Sequence, residues 1–131
     1  MDDIFYLNTK KISVKDVKKV AEKLKVNKVF IPKTSDVLEI QYCDGIYASW
    51  FEMSVDDFQE PDDRNFLYKN KIVSIFCISY HPKDLEFILP HIKCVLKEYG
   101  GWIGNDSERF QPLFDIKNID SFFYQVEEDF L

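Results

Sequence analysis

The sequence predicts an α+β fold: a single, largely antiparallel sheet of about five or six strands, with two long helices packed on one face. Three observations lead there. Short runs rich in β-branched and aromatic residues recur at Ile4–Leu7, Val29–Ile31, Val37–Cys43, Ile46–Met53 and Ile72–Tyr80. Two other stretches carry apolar residues at helical spacing, first Val17, Val20, Ala21 and Leu24, then Leu85, Ile88, Leu89, Ile92, Val95, Leu96 and Tyr99. Finally, Asp44-Gly45 separates two alternating runs, a strong signal for a two-residue hairpin turn.

The first apolar run suits a strand, and the helix after it is well marked. Ser13 is the expected N-cap, Asp16 stands three residues on, and Ile12 and Val17 flank the cap as a hydrophobic staple. Lys15, Lys18, Lys19 and Lys23 fall mostly on the other side, as a solvated helix face. In the hairpin, a tight Asp44-Gly45 turn sets Cys43 opposite Ile46, Tyr42 opposite Tyr47, Ile40 opposite Ser49 and Leu38 opposite Phe51. That register puts Leu38, Ile40, Tyr42, Tyr47 and Phe51 on the core face, and Glu39, Trp50 and Glu52 on the other.

Residues 54 to 71 read as a polar connection. Ile72–Tyr80 is apolar on both faces, as a central strand is. Pro82 suits a helix start, Gly100 a helix stop, and Pro90 predicts a kink or a break between them. Trp102-Ile103-Gly104 is a short strand, Phe110 to Asp115 is extended, and Asn118 to Val126 is a short helix or an edge strand. A strand-helix-strand unit at each end gives a ferredoxin-like plan with extra strands.

The chain has 131 residues, so residues 1–131 form one domain able to bury roughly two-thirds of its unfolded surface. The formal charge is −6, which argues against direct nucleic-acid binding, where cations must neutralise phosphates. It favours a basic protein partner instead. Cys43, Cys77 and Cys94 are an odd, irregularly spaced set, not a disulfide framework. Met1-Asp2-Asp3 does not open a signal peptide, and no window is long and apolar enough for a membrane span. The expected setting is the cytoplasm.

Catalytic chemistry has little to draw on. His91 and Cys94, three apart on one helix, are the one Cys-His pairing, and a packed thiol beside a half-exposed histidine is the favoured reading. No zinc spacing, phosphate loop or nucleophile elbow occurs. The expectation is therefore no catalytic residue, no metal and no cofactor. The remaining candidates are partner-binding groups. Asp56, Asp57, Glu60, Asp62 and Asp63 crowd into a few residues, as a solvated acidic loop or a landing patch for a basic partner. Trp50, flanked by Glu39 and Glu52 on the non-core face, would anchor that contact.

One part of the chain resembles a known family. His81-Pro82-x-Asp84-Leu85, a helix ending in Tyr99-Gly100-Gly101-Trp102-Ile103-Gly104-Asn105-Asp106, and Phe110-x-Pro112-x-Phe114-Asp115-x-x-Asn118-Ile119 resemble small bacterial immunity proteins of contact-dependent and polymorphic toxin systems. The resemblance covers roughly residues 71 to 120. It implies a cytosolic single domain that neutralises a toxin, frequently a basic nuclease, by binding it directly. Two other readings compete. One is a small-ligand-binding or enzymatic domain with a pocket near His91 and Cys94. The other is a homo-oligomer subunit that buries Trp50 across a symmetry axis.

Overall fold

The computed structural model describes residues 2–24, 26, 28–30 and 36–122. Nine elements make up the frame: β1 (Asp2–Asn8), α1 (Val14–Lys23), β2 (Lys28–Phe30), β3 (Val37–Cys43), β4 (Ile46–Met53), α2 (Pro61–Lys69), β5 (Ser74–Tyr80), α3 (Leu85–Tyr99) and β6 (Trp102–Asn105). The six strands form one sheet in the order β2-β3-β4-β5-β1-β6. Every neighbouring pair is antiparallel. The α+β expectation therefore holds.

The ferredoxin-like expectation holds only at one end. β5 and β6 flank β1 and run parallel to each other, so β5-α3-β6 is a split strand-helix-strand unit. At the other end the connection through α1 carries the chain from β1 across three strands to β2.

Helix α1 begins as its sequence requires. The Asp16 amide donates to Ser13 Oγ at 3.3 Å, and the Ser13 amide donates to Asp16 Oδ2 at 2.9 Å, closing a capping box. Ile12, Val17, Val20 and Ala21 are buried. Helix α3 runs unbroken through Pro90, so the break allowed at that proline does not occur. It is preceded by a 3-10 turn, Pro82–Asp84. Both long helices pack on the same side of the sheet, over Ile4, Tyr6, Leu38, Ile40, Trp50, Phe76 and Ile78.

The other side is where the structure departs from expectation. Residues 54 to 71 are not a loop. A 3-10 turn, Val55–Asp57, leads into α2, which opens on Pro61 with Asp62 and Asp63 in its first turn. Leu67 of α2 is buried with Phe5, Leu7, Ile72, Ile75 and Phe110 in a second core. The helix went unread because its apolar stripe is only Phe66 and Leu67 deep, and its polar majority masked it. Toward the C-terminus, Phe114 bridges Ile103 of β6, and residues 119–122 are helical. The rest of the expected 118–126 element lies outside the described residues.

The hairpin corrects the face assignment. Cys43 does face Ile46, but Gln41, not Tyr42, faces Tyr47, and Ile40 faces Ala48. Tyr42 is a bulge residue. Of the two turn residues only Gly45 has positive φ, at 78°. A mirror-image two-residue turn needs positive φ at both positions, so the hairpin uses the turn-plus-bulge connection instead. One inserted residue exchanges the faces of β4 relative to β3. Ala48 and Trp50 therefore join Leu38, Ile40 and Tyr42 in the core, whereas Tyr47 and Phe51, expected inside, are exposed.

Glycines seat β6. A side chain at Gly101 would meet the Leu7 carbonyl oxygen at 2.5 Å, and its φ is 91°. Beside it, Tyr6 Oη donates to the Gly100 carbonyl at 2.7 Å and accepts from buried Asn8 Nδ2, also at 2.7 Å. These bonds tie the end of α3 to β1. Burial pushes the Tyr6 hydroxyl pKa up to about 12, so it stays protonated and remains a donor.

Candidate acidic docking site

The acidic segment is ordered by its own few apolar and basic residues. Phe58 stacks edge-on against Phe5 at 5.6 Å and Phe110 at 5.2 Å. Arg64 Nη1 donates to the Phe58 and Gln59 carbonyls at 2.8 and 3.1 Å, so this cation is committed to backbone. Asp57 Oδ2 accepts the Ser54 amide at 2.8 Å, and Asp56 Oδ1 accepts the Tyr68 hydroxyl at 3.4 Å.

A second acidic loop, after β6, is carried against the start of α2. Its position depends on Phe110, which is buried among Phe5, Phe58 and Phe66. Arg109 and Phe110 both have positive φ, at 56° and 61°, a strained arrangement for side-chain-bearing residues. Asp63 Oδ1 fixes that turn by accepting the Arg109 amide at 2.8 Å. Gly104 leaves room for it, because a side chain there would lie 2.7 Å from Phe110 Cβ. We expect Gly104→Ala to destabilise the fold by about 1–3 kcal/mol through this overpacking. A urea titration checks it, and an unchanged midpoint would refute the packing account.

Together the two segments line a cleft of about 370 Å³ with Glu60, Asp62, Asp63, Asp106, Ser107 and Glu108. Among the described residues, the ion pairs are Lys18–Glu22, Lys93–Asp120 and Arg109–Glu108, so Glu60, Asp62, Asp63 and Asp106 have no cationic partner there. Asp62 and Asp63 also favour the positive end of α2, but Glu60 and Asp106 add charge beyond that need. No group of carboxylates, histidines or thiols among the described residues is close enough to hold a metal ion.

The other expected site residues separate. Glu39 is exposed on the same side of the sheet as α2. Glu52 is half-buried at the far end of β4. Trp50 is fully buried and cannot anchor a partner, nor can it be shared across a symmetry axis. It packs 5.1 Å from the His91 ring and 6.1 Å from Phe76. Among the described residues its indole N–H has no hydrogen-bond partner of ordinary geometry, although it points toward the Tyr42 hydroxyl. Asp106 and Glu108 were missed by sequence reasoning. Two carboxylates in a short loop give no signal until the fold sets them beside α2.

His91 is buried, not half-exposed. Its Nε2–H donates to the Val17 carbonyl at 3.1 Å, and Nδ1 accepts the Tyr42 hydroxyl at 2.8 Å. Both ring nitrogens are thus occupied, and neither serves Cys94. The Cys77 thiol is pushed up to about 11 by burial and by the nearby Asp3 charge, so it stays protonated. The lysines of α1 lie on the opposite side of the sheet from the acidic cleft.

Comparison with protein-family models, curated proteins and solved structures finds no match to this chain. No helix among the described residues is long and apolar enough to cross a membrane.

Proposed function

We propose that this chain is an immunity-type protein that neutralises a cognate bacterial toxin, a basic one, by direct contact through the acidic cleft. The observation that supports this reading best is the convergence of Glu60, Asp62 and Asp63 with Asp106 and Glu108, from segments far apart in sequence, in one cleft. Asp106 closes the Gly-Gly-Trp-Ile-Gly-Asn-Asp stretch that carries the resemblance to immunity proteins. Unpaired carboxylates around a cleft focus a negative potential that attracts cationic surfaces and raises encounter rates. The lysines of α1 on the other side add a charge asymmetry that orients the approach. The partner is held by its own Lys and Arg side chains and is silenced by occlusion of its active site or of a surface beside it. On this reading the protein acts in the cytosol, has no catalytic role and needs no cofactor.

Co-expression tests this. Cells carrying the toxin encoded next to this gene should survive with the wild-type chain and die with Glu60→Lys/Asp62→Lys/Asp106→Lys. These three side chains make no structural hydrogen bond among the described residues, so the variant should fold with an unchanged circular dichroism spectrum. Full protection by the folded triple variant would end the proposal.

A further inference from the structure

Among the described residues, the side of the sheet that carries α2 is covered over only half its width. The second core sits mainly on β5, β1 and β6, and its described residues include none from β2 or β3. The bare half forms an open groove of about 680 Å³ whose lining includes Lys28, Glu39, Gln41, Tyr47 and Ser49. Tyr47 is 56% exposed there, and Phe51, further along β4 beyond the groove lining, is 37% exposed.

The exchanged faces of β4 give this surface a specific pattern. Tyr47, Ser49 and Phe51 are two residues apart and point to the same side, so two aromatic rings flank a small hydroxyl residue. Glu39 is the cross-strand partner of Ser49, which places a carboxylate beside the gap between the rings. Gln41 Nε2 donates to Tyr47 Oη at 3.2 Å and fixes that ring. In the next strands of the same row, Ser79 faces Ser49 and hydrogen-bonds Asp3, which adds a second carboxylate. Among the described residues Glu39 has no ion pair, although Lys28 lines the same groove. Lys28 stands opposite Gln41, at the end of the groove away from Phe51. An incoming cation is therefore drawn to the Glu39 and Ser49 end.

We infer that this slot seats an arginine side chain from an exposed loop of a protein partner. This rests on the basic-partner reading above and names a second contact for it. A guanidinium suits the slot for two reasons. Its flat face stacks on an aromatic ring, and its N–H fork pairs with a carboxylate. An ammonium makes the second contact less well and stacks less well. A phosphate backbone is repelled by Glu39 and Asp3.

The test is an amide-resolved NMR titration of the full chain with an alternating Arg-Gly peptide, and in parallel with the Lys-Gly equivalent. The Arg peptide should shift Glu39, Tyr47, Ser49 and Phe51 saturably, and the Lys peptide should do so on the order of 10-fold more weakly. Tyr47→Ala and Glu39→Gln, both at exposed positions, should each weaken the slot response on the order of 5- to 10-fold while leaving the rest of the spectrum in place. Shifts confined to residues 60–63 and 106–108 overturn the slot, and so does an equal response to both peptides. That outcome leaves the acidic-cleft proposal standing, because cleft binding is read at different amides and abolished by the triple variant instead.

Discussion

Trp50→Ala should lower unfolding stability by about 3–5 kcal/mol, the range for removing a large aromatic from a well-packed core. That is a large share of the roughly 5–15 kcal/mol a domain of this kind possesses. The cause is local and specific. Trp50 is fully buried between Tyr6, Phe76 and His91, with ring separations of 6.2, 6.1 and 5.1 Å. Those rings cannot collapse together to fill the space without moving both α3 and the sheet. The urea midpoint should fall sharply with the denaturant slope unchanged. Tyr47→Ala, three residues earlier on the opposite face, should change stability by only about 0.5 kcal/mol. If the two variants ranked the other way, the bulge at Tyr42 and the face assignment built on it would be wrong.

The second large effect is a loss of stability in mild acid, and it belongs to His91. Burial lowers its pKa from 6.5 to about 4, partly opposed by the hydrogen bond to the Val17 carbonyl. In the unfolded chain the imidazole takes up a proton near pH 6.5, whereas in the folded protein it does so only near pH 4. Between those values the unfolded state binds more protons, so stability falls as pH falls. Its contribution is fully present above pH 6.5 and is gone below about pH 4, a span worth about 3 kcal/mol. A protonated ring would also lose its role as acceptor for the Tyr42 hydroxyl, which joins β3 to α3. Urea midpoints measured from pH 7 to pH 4.5 should decline in the wild type. In His91→Phe, which is less stable at pH 7 because Tyr42 and Val17 lose a partner, the decline should be clearly shallower. Equal slopes would show that carboxylates, not His91, set the acid limit.

Much of the fold was legible because its local signals agree with its tertiary structure. The Ser13–Asp16 capping box, the helical spacing of α3 and the apolar Ser74–Tyr80 strand each admit one sensible element. The errors came where one residue outweighs a pattern. A bulge leaves no mark in alternation, since Tyr42 simply continues the apolar series of Leu38 and Ile40, yet it exchanges the fate of Trp50 with that of Tyr47 and Phe51. Helix α2 was hidden by its own solvent face, although Pro61 followed by two aspartates is a helix start. The candidate site was half legible. Its N-terminal carboxylates stood out as a run, but the cleft exists only because Gly104 and Phe110 fold Asp106 and Glu108 back onto α2. Pairings of that kind depend on topology, which no local pattern contains.

We propose that carboxylates of one cleft recruit a basic protein toxin. Stopped-flow association with the product of the neighbouring toxin gene, across salt concentration, tests it most directly. The rate should fall steeply with added salt, and the Glu60→Lys/Asp62→Lys/Asp106→Lys variant should associate at least about 10-fold more slowly at low salt. Failure to associate at all, or equal rates for the wild type and the folded variant at low salt, would contradict it.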